Sequence, residues 1–151
     1  MEKLGSRPQI DTTEPGLMDD ELVFVVSSFA PEMEPIFQAI AAAARTMGLH
    51  AERVKDVKGD YRTRDKIFTM IERARFIVAD LTYGSPNVYF ELGYARALRK
   101  TVITILRAGS TVHFDVQDWT YLEYIDSRPL ESDLVERFKW ELQRPGESQE
   151  W

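Results

Sequence analysis

The chain has 151 residues, 44% hydrophobic and 29% charged, the length and balance of one globular domain that can bury its own core. Its formal net charge of −6 excludes a broad basic footprint for extended nucleic acid, while leaving room for a local basic pocket. The absence of cysteine excludes disulfides, zinc–thiolate sites and a thiol nucleophile.

Residues 1–20 are polar and interrupted by Pro8, Pro15 and Gly16, so they read as a flexible N-terminal arm with no signal-peptide run. No segment approaches the roughly 20 apolar residues of a bilayer span, so no membrane partner is expected and the default location is the cytoplasm. Leu22 to Val26 is a continuous apolar run that suits a central parallel strand covered on both faces. Ser27, Ser28, Phe29 and Ala30 form its exit loop. Pro31 opens a helix marked by Ile36, Ile40, Ala43 and Met47 and ended by Gly48. Leu49 to Val54 reads as a second strand and Asp56 to Tyr61 as a polar loop. Ile67, Met70, Ile71 and Ala74 then mark a second amphipathic helix.

Phe76 to Ala79 is a buried strand that stops at Asp80, followed by a loop through Ser85. Pro86 stands where a first-turn proline is tolerated, and Val88, Leu92 and Ala95 form the core stripe of a third helix that runs to about Arg99. Val102 to Leu106 is a fourth strand and Tyr121 to Ile125 a fifth, edge-like one. Leu134, Val135, Phe138 and Leu142 mark a last helix, and 144–151 is a polar tail. Strands alternating with helices across 21–143 predict a single three-layer α/β domain with a parallel, flavodoxin-like five-stranded sheet.

In such sheets ligands sit beyond the carboxyl ends of the strands, where the first and third strands part. The exit loops 27–29 and 80–85 should therefore lie together, beside a helix N-terminus that favours anions. This arrangement suits a phosphorylated sugar. Glu91 lies four residues after Asn87, on the same helix face, and is either a carboxylate held over this crevice or a solvated glutamate. Asp80 is either a ribose ligand and second carboxylate or a turn residue. Asn87 either binds ligand or caps its helix, with Ser85 as a competing cap. Ser27 and Ser28 are either phosphate ligands or turn residues. Arg62 and Arg64 read as solvated cations unless both face a phosphate. Trp119, Tyr121 and Tyr124 either stack on a base or pack the last strand. His50 and His113 lack metal-type spacing, so no metal is expected. Glycine-rich dinucleotide, P-loop and nucleophile-elbow motifs are absent.

The run Ala79-Asp80-Leu81-Thr82, then Ser85-Pro86-Asn87-Val88-Tyr89-Phe90-Glu91-Leu92-Gly93-Tyr94-Ala95, resembles the bacterial TIR-like nucleotide-binding proteins related to nucleoside 2-deoxyribosyltransferases. Ser85 replaces the first asparagine of that pattern, and Lys100-Thr101-Val102 lacks the proline usual at the next strand. Phe114-Asp115 and Tyr121 to Tyr124 are also similar to the group, and Asp56 and the strand from Val23 to Phe29 match more loosely. The resemblance implies a nucleotide-binding protein that cleaves an N-glycosidic bond of NAD, a nucleoside or a nucleotide through Glu91, with Asp80 as partner carboxylate. It implies a ligand site of Ser27, Ser28, Phe29, Asp56, Thr82, Asn87, Tyr94 and Asp115. No cofactor is implied; NAD or a nucleotide enters as substrate or ligand, and a homo-oligomer is expected because related families complete their site across subunits. The alternatives are a non-catalytic nucleotide sensor and a TIR-type protein–protein interaction module.

Overall fold

The computed structural model describes residues 18–54, 61–112 and 120–144, with the backbone alone for 61–64. Five strands form one parallel sheet in the order β2-β1-β3-β4-β5. They are β1 (Asp19–Val26), β2 (His50–Glu52), β3 (Ala74–Asp80), β4 (Thr101–Arg107) and β5 (Tyr121–Tyr124). The helices are α1 (Glu34–Thr46), entered through a 3-10 turn at Pro31–Met33, α2 (Tyr61–Arg73), α3 (Pro86–Ala97) and α4 (Ser127–Gln143). This is the flavodoxin-like order expected from the alternation of strand and helix patterns.

The middles of the central strands are mostly apolar, and each side of the sheet has its own core. Val23 and Val25 of β1, Phe76 and Val78 of β3, and Ile103 and Ile105 of β4 face α1 and α4. The intervening residues, Phe24, Val26, Ile77, Ala79, Val102 and Leu106, face α2 and α3. This is the strand period of two, with both faces covered. One consequence positions the site. The helix that follows β1 packs on one face and the helix that follows β3 packs on the other. The two strands are nevertheless paired, with Val26 opposite Ala79, so a crevice opens where their exit loops part.

Some boundaries differ from the sequence reading. Strand β1 begins at Asp19, inside the segment expected to be an arm, because Asp19 pairs with Ala74 and its carboxylate meets His50 Nε2 at 3.1 Å. Ala74 opens β3 instead of closing α2: one small apolar residue at the junction satisfies either pattern, and pairing with β1 decides it. The second strand is shorter than Leu49 to Val54, and α4 starts at Ser127, where Asp126 caps it by accepting from the Arg128 N–H at 3.0 Å.

α1 and α3 end in the same hydrogen-bond motif with different residues. After α1, Gly48 N–H donates to Arg45 O at 3.1 Å and Leu49 N–H to Ala44 O at 2.8 Å, with Gly48 at φ 75°. After α3, Arg99 N–H donates to Arg96 O at 2.9 Å and Lys100 N–H to Ala95 O at 3.0 Å, with Arg99 at φ 59°. The left-handed position suits glycine and strains a residue with a Cβ. Arg99→Gly is therefore expected to raise the unfolding free energy by about 0.5–1 kcal/mol, net of glycine's greater unfolded freedom. Urea denaturation checks this; an unchanged or lower midpoint would contradict the assigned strain.

Candidate functional site at the β1 and β3 exits

The carboxyl edge of the sheet brings three pieces of chain together. From β1 come Ser27 and Ser28, both half-buried, and Phe29, which is 58% exposed. Ser28 Oγ accepts from the Ala30 N–H at 3.2 Å, so it shapes the turn while its own proton remains available to a ligand. From β3 comes the loop through Tyr83, an exposed aromatic, and Gly84, whose φ of 59° and N–H donation to Leu81 O at 3.0 Å close a tight turn. The third piece is the first two turns of α3.

Ser85 occupies the N-cap position of α3 but makes no capping bond through its side chain. Asn87 is inside the first turn and exposed, so it does not cap the helix. The amides of a first turn have no partners within their own helix and attract anions. Glu91 follows one turn later. It is half-buried, flanked by the Val88–Leu92 stripe that holds α3 to the sheet and by exposed Asn87.

Asp80 is placed differently. Only 3% exposed, it belongs to a closed network. Its Oδ1 accepts from the Thr82 N–H at 2.8 Å and from the Thr82 hydroxyl. Its Oδ2 meets the Tyr124 hydroxyl at 2.6 Å, and that hydroxyl lies 3.0 Å from Thr82 Oγ1. Thr82 Oγ1 also accepts from the Arg107 N–H at 3.0 Å, replacing the ladder partner lost where β3 ends. The turn reading of Asp80 and Thr82 thus accounts for their contacts, and both side chains bind each other and Tyr124.

The proton count of this network is informative. Ionised Asp80 leaves two hydroxyl protons for three oxygen–oxygen contacts. A proton on the Asp80 carboxyl supplies the missing third donor. Burial acts in the same direction, pushing the Asp80 carboxyl above the usual carboxylate range, against the opposing pull of its hydrogen bonds from Thr82 and Tyr124 and the nearby Arg107 charge. Burial also pushes the Tyr124 phenol up, with the Asp80 carboxylate adding to the shift, so Tyr124 stays protonated.

Tyr94 lies away from the crevice. Its hydroxyl donates to Glu72 Oε1 and its ring stacks at 4.4 Å on Phe68. Burial, then Glu72, push its phenol up to about 12. Glu72 lies two residues before the first residue of β3, so Tyr94 belongs to the opposite edge of the sheet; α3 runs antiparallel to the strands and carries it there. Lys100 completes that end by donating to Ala74 O at 3.0 Å and to Glu72 O. Asp56, Asp115, His113 and Trp119 lie outside the described residues, as do the side chains of Arg62 and Arg64. Among the described residues, no group of three or more His, Asp or Glu side chains is placed to hold a metal ion. No helix among them is long and apolar enough to cross a membrane. Sequence reasoning missed Tyr124, assigned there to stacking or packing; its partner lies 44 positions away, and no local pattern signals that.

Known structures share this architecture. The CMP N-glycosidase of Clostridium botulinum superposes with a TM-score of 0.57 at 19% identity, covering 75% of this chain and 97% of that one. A flavodoxin-like domain from Synechococcus sp. gives 0.53 at 16% identity over 82% and 99% of the two chains. The rubredoxin oxygen:oxidoreductase of Desulfovibrio gigas gives 0.54 at 14% identity over 84% of this chain, which spans 38% of the larger protein. At these identities the likeness defines the fold: a flavodoxin-like α/β domain. No family model matches the chain, so the resemblance to TIR-like proteins has no support from that comparison. No curated protein matches it either.

The network gives a prediction with a definite sign. A carboxyl whose folded pKa is raised binds its proton more tightly in the native state, so its contribution to stability is full at low pH and is lost as pH rises through the folded pKa. Asp80→Asn removes the titrating carboxyl and keeps a group of the same shape at every pH. Relative to wild type, this variant should gain stability as pH rises from about 4 toward neutrality and then hold a constant advantage. Denaturant titrations across that range check it; a gap that narrows with rising pH would contradict the assignment.

Proposed function

We propose that the protein cleaves the N-glycosidic bond of a nucleotide, with Glu91 as the catalytic carboxylate. The observation that carries this reading is the placement of Glu91. It is half-buried on the second turn of α3, whose N-terminus faces the crevice between the exits of β1 and β3. The likeness in fold to a CMP N-glycosidase, over 97% of that chain, supports the same reading.

Each group has a chemical task. The first-turn amides of α3 and the hydroxyls of Ser27 and Ser28 hold the phosphate. Asn87, exposed on the first turn, takes a sugar hydroxyl. Phe29 and Tyr83, both exposed, offer flat faces to the base. As the bond between C1′ and the base nitrogen breaks, its electron pair leaves with the base and positive charge develops at C1′. The Glu91 carboxylate stabilises that charge. Water adds its hydroxyl to C1′, and its proton balances the departing base. NAD and nucleosides contain the same bond and fall within the class. Asp80, closed into its network with Thr82 and Tyr124, acts by holding the loop instead of by touching the sugar.

Incubating purified protein with CMP, the other nucleoside monophosphates, their 2′-deoxy forms, free nucleosides and NAD, followed by chromatography for free base, tests the proposal. Release is expected from at least one compound, and Glu91→Gln should lower kcat by at least roughly 100-fold while leaving thermal stability nearly unchanged. Equal release by Glu91→Gln would overturn the role of Glu91. A thermal shift with a nucleotide but no release would leave a binding protein in its place.

A further inference from the structure

The last strand holds a feature that the proposed reaction does not use. β5 is an edge strand of four residues in which Tyr121 and Leu122 are half-buried and Glu123 is exposed, yet Tyr124 is only 2% exposed. Tyr124 pairs with Arg107 of β4 but reaches beyond β4 to β3, where its hydroxyl contacts Asp80 at 2.6 Å and Thr82 at 3.0 Å. Strands in a sheet are about 4.8 Å apart, so this side chain crosses a full strand to end on its two partners.

Those partners govern the start of α3. Thr82 lies inside the turn closed by Leu81 O and Gly84 N–H, which leads directly into the helix, and Tyr89 N–H donates to Ser85 O at 3.2 Å in the first turn. Little slack separates Thr82 from Asn87 and Glu91. We propose that Tyr124 is a positioning residue: its hydroxyl, through Asp80 and Thr82, sets the β3 exit loop and thereby the placement of Glu91 against the sugar. This rests on the proposed function. A ring that only filled the core would need no hydroxyl, and phenylalanine would serve. Here the hydroxyl ties β5 to the β3 exit, and displacement of a catalytic group by about 1 Å can lower rate roughly 100-fold.

The test is Tyr124→Phe, with Thr82→Val as a second variant that opens the same network should the first fail to fold. With the nucleotide that wild type cleaves fastest in the panel above, kcat should fall roughly 10- to 100-fold and KM change by less than about 3-fold. In a Glu91→Gln background the same substitution should have almost no further effect, because it acts through Glu91. Amide exchange should quicken at 84–90 and stay unchanged in α1 and α4. An unchanged kcat, or a full additional loss in the Glu91→Gln background, overturns the proposal. If wild type releases no base at all, the proposed function fails by itself. Amide exchange then decides whether Tyr124 sets the loop, and unchanged exchange at 84–90 overturns that as well.

Discussion

A buried carboxylate at the end of a central strand is the constraint on which this site depends. Asp80 is removed from water at the point where β3 stops and the chain must turn. Without partners such a group would be strongly destabilising. Thr82 and Tyr124 supply them, and in doing so they fix three separate things: the loop that leaves β3, the end of β4 at Arg107, and the inward reach of β5. The crevice above β1 and β3 has a rigid floor for this reason.

The two-faced sheet supplies the rest. Because α1 and α3 leave neighbouring strands and pack on opposite faces, their N-termini flank one opening without obstructing each other. Val88, Leu92 and Ala95 seat α3, each of the larger side chains contributing about 1.5–3 kcal/mol through burial. Glu91 is carried on the margin of that stripe. Its rotational setting about the helix axis therefore follows from the packing of that stripe.

The fold was legible in the sequence wherever a continuous apolar run met a turn residue. Leu22 to Val26, Phe76 to Ala79 and Val102 to Leu106 are the three central strands, and their neighbours in the sheet follow from alternation with helices. The site was legible in part. Ser27, Ser28, Phe29, Asn87 and Glu91 all lie along the carboxyl edge. Tyr94 does not, because helix-face spacing describes rotation about the axis and says little about travel along it; at 1.5 Å per residue, Tyr94 lies about 12 Å beyond Pro86. Asp80 was read as either a ribose ligand or a turn residue, and Thr82 as a ligand only through the family resemblance. Their partner, Tyr124, arrives from the far edge of the sheet, a contact between distant segments that neither periodicity nor local turn chemistry reveals.

The shortness of the outer strands has a consequence of a different kind. An exposed sheet edge is a template on which another chain can extend the hydrogen-bond ladder. Here both borders offer little to such a chain. β2 has three residues, with His50 and Glu52 at its ends, and β5 has four, with exposed Glu123 next to a tyrosine turned inward. A strand added to either side would find few unpaired amides and an ionisable side chain in its path. The brevity that makes β5 dependent on its neighbours thus also guards the protein against edge-to-edge aggregation.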